Sequence, residues 1–425
     1  MNVIKDVEII NYKGLEEIQF PCESINIIIG PNNTGKSSIL ESIWMSISSL
    51  NNFEDALETE LSDILKHEEN DKIKHFIYQS KQHSMIKIDL SENNNITLDL
   101  LYSKKNYPPE IAEFFLNYIN EISKKGDLDF FFKQSFDFNR VSIMEMYKIS
   151  AELKALENQF AHLEKEPVDE DEKNKNVLIE NLIKERYKKL DFLVEKYIDE
   201  LIKSEKLSMI SKYNNNLTNV HLLMKTYSGI IPVFKKEIST IDKIPLVFSS
   251  PEMNEDILDL YKKLVNVKKL DAVLNILKGK IPYLEDIREV EGDLLVLIEN
   301  IKEPLPLSFM GDGFKALLKL SFMAPLVKNG VVIFEEPEVY MHPGYFDILS
   351  REIVTSSEQS QFFISTHSLE LIKNIIEKAE KFDKIDSVRI LRLRRLSEGY
   401  IDREILSGSE AKEELDTIET DLRGF

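Results

Sequence analysis

The sequence predicts an α/β protein in which two mixed lobes, residues 1–105 and 241–425, flank a helical insertion at 106–240. Three observations predict it. An apolar run, Ile25, Ile27, Ile28 and Ile29, ends at Gly30 and passes straight into a helical pattern from Ser37. Wholly apolar strand signals return at 331–334 and 362–365, as buried parallel strands require. Between the lobes the chain is charged and carries apolar residues at heptad spacing.

The elements follow in order. Val3, Ile4, Val7, Ile9 and Ile10 alternate as a strand does, Gly14 marks a turn, and Ile18 and Phe20 continue the pattern. After Ser37, the residues Ile39, Leu40, Ile43 and Trp44 share one helical face, and Trp44 is expected in the core. Strand signals at 85–90 and 96–101 are separated by the turn residues Asn93, Asn94 and Asn95. In the insertion, Met146, Ile149, Leu153, Leu156, Phe160 and Leu163 form one heptad series, and Ile183, Tyr187, Leu190, Val194, Tyr197 and Leu201 form another. Pro167 and an acidic cluster between them should turn the chain back. The economical reading is an antiparallel hairpin over about 143–210 with arms of roughly 30 Å, and a compact helical subdomain is the alternative. Strands resume at 244–248 and 294–298.

Composition narrows the function. Of 425 residues, 43% are hydrophobic and 30% charged, which suits a globular chain with a large core. Lys and Arg number 54 against 74 Asp and Glu, a net charge of −20, which argues against a surface devoted to nucleic acid but leaves room for a local basic groove. Cys22 is the single cysteine, so intramolecular disulfides and Cys-based zinc sites are excluded, and it is expected to pack as a small buried hydrophobe. No apolar run approaches the roughly 20 residues of a membrane span, and the first residues carry charges where a signal peptide is apolar, so a soluble cytoplasmic protein without membrane attachment is expected.

Three motifs carry chemistry. GPNNTGKS at 30–37 satisfies G-x-x-x-x-G-K-[ST] between a strand and a helix. Gly30 and Gly35 let the backbone curl so that N–H groups face a phosphate, Lys36 reaches its oxygens, and Ser37 can ligate Mg²⁺. VVIFEEPE at 331–338 ends an apolar strand in Glu335 and Glu336, suited to holding the Mg²⁺ shell and polarising the attacking water. Glu338 reads as an exposed acidic helix start. FFISTHS at 362–368 brings Thr366 and His367 to the carboxyl end of a third strand, where a ligand crevice lies. Residues 388–396 place Arg389, Arg392, Arg394 and Arg395 along a strand that reads either as a nucleic-acid or partner contact or as an amphipathic edge strand with solvated arginines.

The order of GPNNTGKS, SFMGDG at 308–313, IFEEPEVYMHP at 333–343 and STHS at 365–368 resembles the ATP-binding-cassette (ABC) superfamily. More narrowly it is similar to the RecF-, SMC- and OLD-like branch described as AAA15 or AAA21, over about 1–105 and 240–425. The resemblance implies an ABC-type P-loop ATPase head using ATP and Mg²⁺. It implies that Gly30, Asn32, Asn33, Thr34, Gly35, Lys36, Ser37 and Ser38 hold nucleotide, that Ser37 and Glu335 hold the metal, and that Glu336 is the catalytic carboxylate and His367 the switch histidine. Ser308, Gly311, Asp312 and Gly313 match the signature motif that meets ATP held by a partner subunit, although they depart from the usual LSGGQ. Residues 337–342 match the D-loop. Lys13 resembles a basic residue that can approach the nucleotide, against a solvated lysine, and Gln79 and Gln82 are the Q-loop candidates, against surface glutamines. OLD-like nucleases continue into a Toprim domain, for which the residues after His367 are expected to be too few.

The resemblance implies a homodimer closed by composite ATP sites, or a higher oligomer. Its leading function is an ATP-gated switch like the ATPase subunits of anti-phage systems of the PARIS and Septu types, controlling a separately encoded effector. A RecF-like clamp on DNA and an ATP-binding scaffold with negligible turnover are the alternatives.

Overall fold

The computed structural model describes residues 4–51, 73–79, 81–103, 205–226, 229–237, 242–251, 256–396 and 400–417, with positions 181 and 185. Strands β1 (Ile4–Tyr12) and β2 (Leu15–Pro21) form a tight hairpin, and β3 (Ile25–Ile29) leads through residues 30–35 into helix α1 (Lys36–Leu50). Strands β4 (His83–Leu90), β5 (Asn95–Ser103), β6 (Lys206–Tyr213), β7 (Asn216–Thr226) and β8 (Gly229–Glu237) complete a seven-stranded antiparallel sheet in the order β2-β1-β4-β5-β6-β7-β8. After β9 (Leu246–Ser249) come helices α2 (Ile257–Asn266) and α3 (Leu270–Lys278), then a small sheet of β10 (Leu284–Val290), β11 (Asp293–Ile298) and β12 (Leu305–Pro306). The chain closes with α4 (Asp312–Met323), β13 (Gly330–Glu335), α5 (Phe346–Ser356), β14 (Ser360–Ser365), α6 (Leu369–Lys381), β15 (Val388–Arg395), β16 (Ile401–Ser407) and α7 (Gly408–Thr417).

The second large sheet runs β16-β15-β3-β14-β13-β9, parallel except for β16. Both of its faces are covered, which explains the unbroken isoleucines of β3. Ile28 points with Val331, Ile333 and Phe363 towards α1, and α1 is sandwiched between this sheet and the antiparallel one through Ile39, Leu40, Ile43 and Trp44. Ile25, Ile27 and Ile29 point the other way, with Phe334 and Phe362, onto α2 to α6. Each fully buried side chain of this size contributes about 1.5–3 kcal/mol of hydrophobic stabilisation. Polar side chains then fix the two sheets together. Gln361 of β14 is wholly buried and exchanges two 2.8 Å hydrogen bonds with the backbone of Ile4, while Asn219 of β7 donates to Ser49 O and Leu50 O at the end of α1.

The mixed α/β architecture expected from the sequence is the fold observed among the described residues, with two corrections. The sequence places the helical insertion up to residue 240 and its hairpin up to 210, yet Lys206–Tyr213, Asn216–Thr226 and Gly229–Glu237 are strands of the antiparallel sheet. Leu207 and Met209 alternate into the core, and Asn214 and Asn215, both at positive φ, turn the chain between β6 and β7 as hairpins require. Ser103 and Lys206 are register partners, so whatever 104–205 builds leaves and re-enters between neighbouring strands. Both heptad series lie wholly outside the described residues. The second correction concerns β15, which is interior and not an edge strand. Arg392 is 5% exposed and paired with Glu404 and Glu414, Arg394 pairs with Glu404 at 2.7 Å, and Arg389 pairs with Glu23 at 3.1 Å. Cys22 is buried, and burial raises its thiol pKa well above the ordinary value.

A buried carboxyl makes the fold pH-sensitive. Glu352 on α5 is 4% exposed, and burial pushes its pKa from 4.5 up to about 8, opposed in part by the Ser321 hydroxyl of α4. Between those values the folded chain keeps a proton the unfolded chain has released, so stability falls as pH climbs through the window. Glu352→Gln, which fixes the neutral form, should match the parent near pH 5 and exceed it by roughly 2–4 kcal/mol at pH 9 in urea melts. Parallel stability curves for the two proteins would contradict this.

Candidate nucleotide-binding site

The loop after β3 is shaped by two glycines under different constraints. Gly30 has φ 148°, and a Cβ there would lie 2.5 Å from Leu393 O of β15. Gly35 is the N-cap of α1 in the left-handed region at φ 89°. Thr34 Oγ1 donates to Pro31 O at 2.8 Å and closes the loop on itself. Unlike α2 and α6, which are capped by Asp256 and Ser368, α1 has no side-chain cap and no acid in its first turn. The helix start at Lys36, Ser37 and Ser38 is therefore left to an external anion, and the glycine-cradled loop fits a phosphate. Asn32, Asn33 and Ser37 are exposed beside it.

Lys36 is 6% exposed, and its ammonium donates to Gly30 O and Pro31 O at 3.0 Å each. Burial lowers its pKa, while the charges of Glu336, Glu335 and Glu338 push it back up. Those carboxylates are near because the strand ends are level. In β3, β14 and β13 the residues Ile28, Ser365 and Glu335 stand in register. Glu335 ends β13 near Lys36 of the phosphate loop, and its carboxylate and the Ser37 hydroxyl are hard-oxygen groups of the type Mg²⁺ accepts.

Glu336 follows at φ 44°, a conformation that non-glycine residues adopt at a cost of about 1–3 kcal/mol and that concentrates at functional sites. Its N–H donates to Ser365 O at 3.0 Å, which fixes the backbone independently of the side chain. Glu336 Oε1 lies 3.4 Å from His367 Nε2. The sequence reading missed Glu338. It is half-buried, not an exposed helix start, and its Oε1 accepts hydrogen bonds from Thr366 Oγ1 and His367 N, both at 2.7 Å. Its position two residues beyond Glu336, in the third acidic place of EEPE, was the available signal.

The remaining predicted residues divide. Ser308 and Asp312 are exposed, and Gly311 is the uncapped N-cap of α4 with nothing within 4 Å of a Cβ placed on it. Gly313 differs, because a Cβ there would meet Tyr340 O at 2.6 Å, so it serves the packing of α4 on the segment after Glu336. A cleft of about 270 Å³ joins the two motifs, lined by Glu335, Glu336, Ser249, Asp312, Lys315 and Tyr340. Lys13 is engaged elsewhere, 2.5 Å from Glu41 on α1 and over the Phe76 ring at 5.0 Å. Gln79 donates to the Tyr78 hydroxyl, and Gln82 is exposed, so neither is seen to join the site.

With this geometry in place, the family model described as an AAA ATPase domain, AAA_15, matches residues 3–372. The chain belongs to the AAA_15 ATPase family. This AAA_15 chain is also 34% identical over 117 residues to the uncharacterized protein MJECL11 of Methanocaldococcus jannaschii, a match covering 27% of this chain and 100% of that one. Among solved structures it is similar to the Smc head domain of Pyrococcus furiosus, which carries an extended coiled coil and is bound to the C-terminal domain of ScpA. That match has a TM-score of 0.44 at 13% identity and covers 99% of this chain and 100% of the other. For the SMC head domain of Thermotoga maritima the TM-score is 0.40 at 11% identity, covering 95% and 98%.

Proposed function

We propose that this AAA_15 chain is an ATP-hydrolysing switch of the ABC type, in which two copies close head to tail on ATP. The observation that carries the reading is that the carboxyl ends of adjacent parallel strands hold an uncapped helix start, Lys36, the strained Glu336 and His367 within contact of Glu336. Lys36 exchanges the carbonyls of Gly30 and Pro31 for β and γ oxygens, and the N–H groups at the start of α1 orient them. Glu336 takes the proton of the attacking water, and His367 contacts the γ-phosphate from the neighbouring strand. Mg²⁺, held by Ser37 and Glu335, would neutralise charge on the phosphates.

The closing surface is the Gly311 region. Gly311 opens α4 without a cap into open space, flanked by Phe309 at 79% and Tyr340 at 70% exposure. The switch reading, with a separately encoded protein effector as in OLD-like defence systems, is favoured over a DNA clamp by the arginines of β15. Three of them are neutralised by Glu23, Glu404 and Glu414, which removes the basic strand as a phosphate track. Among the described residues no helix is long and apolar enough to cross a membrane.

The test is a disulfide across the closed site. Chains carrying Ser308→Cys and Asn32→Cys should crosslink into dimers with Mg²⁺ and a non-hydrolysable ATP analogue, and not without them. Cys22 is buried and stays silent. Adding Gly311→Arg, for which the free chain has room, should abolish the crosslink because the side chain fills the space where backbone meets the γ-phosphate. Crosslinking that ignores nucleotide, or survives Gly311→Arg, defeats the composite site.

A further inference from the structure

We propose that Glu338 is a positioning residue that acts through His367, its single carboxylate oxygen holding both the Thr366 hydroxyl and the His367 amide so that the imidazole stands against Glu336. This rests on the reading of Glu336 and His367 given above. The segment that carries His367 has no regular secondary structure, lying between the end of β14 and the start of α6. A residue on such a segment keeps its direction only if its backbone groups are fixed by something else. Thr366 N donates to Ile28 O at 3.2 Å, tying the corner to the strand that feeds the phosphate loop. The two 2.7 Å bonds to Glu338 Oε1 tie it to the segment that carries Glu336. The order then runs on, because Thr366 Oγ1 accepts from Ser368 N at 2.9 Å, and Ser368 Oγ caps α6 by accepting from Leu371 N at 3.2 Å.

Glu338 itself is held in a turn, with Val339 N donating to Glu336 O and Met341 N to Glu338 O. Glu336 and Glu338 therefore share one short rigid segment, and His367 is attached to both ends of it: by the ring to Glu336 and by the amide to Glu338. Bonds donated to a charged acceptor are roughly twice as strong as neutral ones, which suits an anchor that must hold while the γ-phosphate is gained and lost. Glu338 Oε2 is buried with no hydrogen-bond partner among the described residues. An anchor needing only shape would be served by an amide.

Glu338→Ala should lower kcat by about 10–100-fold with KM for ATP within about threefold, since misplacing a catalytic group by an ångström costs that much and the phosphate loop is untouched. In the nucleotide-free protein the His367 amide should exchange hydrogen at least about tenfold faster, with the amides of β3 and β13 unchanged. Glu338→Gln, which keeps an acceptor without the charge, should fall between parent and Ala in both readouts, and it carries the test if the Ala variant does not fold. Combining Glu338→Ala with His367→Ala should lose no more turnover than His367→Ala alone. Multiplying losses, a rise in KM with unchanged kcat, or unaltered exchange at His367 overturns the proposal. Retained turnover in His367→Ala marks a different failure, since it removes the role of His367 on which this inference stands.

Discussion

Glu336→Gln should bind MgATP and fail to turn it over. The substitution preserves the volume of the side chain and leaves in place the main-chain bonds to Ser365 that hold residue 336 at its positive φ. What it removes is the base. General-base contributions of this kind are worth about 10²–10⁴ in rate, so phosphate release should fall into that range. Affinity should hold or tighten, because one of the three negative charges facing Lys36 and the phosphate space is gone. The subunit contact that depends on bound ATP should become long-lived by mass action. Phosphate release and equilibrium ATP binding on the same preparation check both halves. Parental turnover in Glu336→Gln would remove the hydrolytic mechanism while leaving nucleotide binding intact.

Lys36→Ala should have the converse effect, losing ATP affinity by about 100-fold or more while the fold survives. The ammonium supplies the charge that the β and γ oxygens need, and no other basic residue is seen on the loop. Its hydrogen bonds in the free protein go to Gly30 O and Pro31 O, at the rim of the site and not in either core, so little stability depends on it. Titration calorimetry with ATP, alongside a thermal melt, is the measurement. Unchanged affinity in a folded variant would refute the phosphate-loop assignment.

Much of the site was legible because each of its parts is a contiguous motif at a strand end. The isoleucines before Gly30, the apolar run before Glu335 and the one before Thr366 predicted strands that the structure places side by side in register. Partners contributed by distant segments were not legible. Nothing local says that Glu404 and Glu414 will neutralise Arg392, or that Glu41 will take Lys13. The strand β16, IDREILS, is too polar to stand out, and without it β15 reads as an edge. Strands β6 to β8 follow a heptad series closely enough that their period of two was absorbed into it. Glu338 looked solvent-facing because its two donors are supplied by another strand's exit. Gly313 kept its place in the motif and changed its meaning, since only the folded chain shows Tyr340 O behind it.

The strand order has a consequence for how the protein is made. On both sides β3 pairs with strands from the C-terminal part of the chain, β14 and β15, and the Asn26 side chain reaches Phe362 O 336 positions away. At ribosomal rates of about 5–20 residues per second, roughly 20 to 70 seconds separate synthesis of the phosphate-loop strand from that of its first neighbour. Throughout that interval four isoleucines of a strand destined for complete burial have neither sheet partner in place. Nascent chains stalled before residue 360 should therefore engage chaperones and lack ATP affinity, even though every residue of the loop has already been translated.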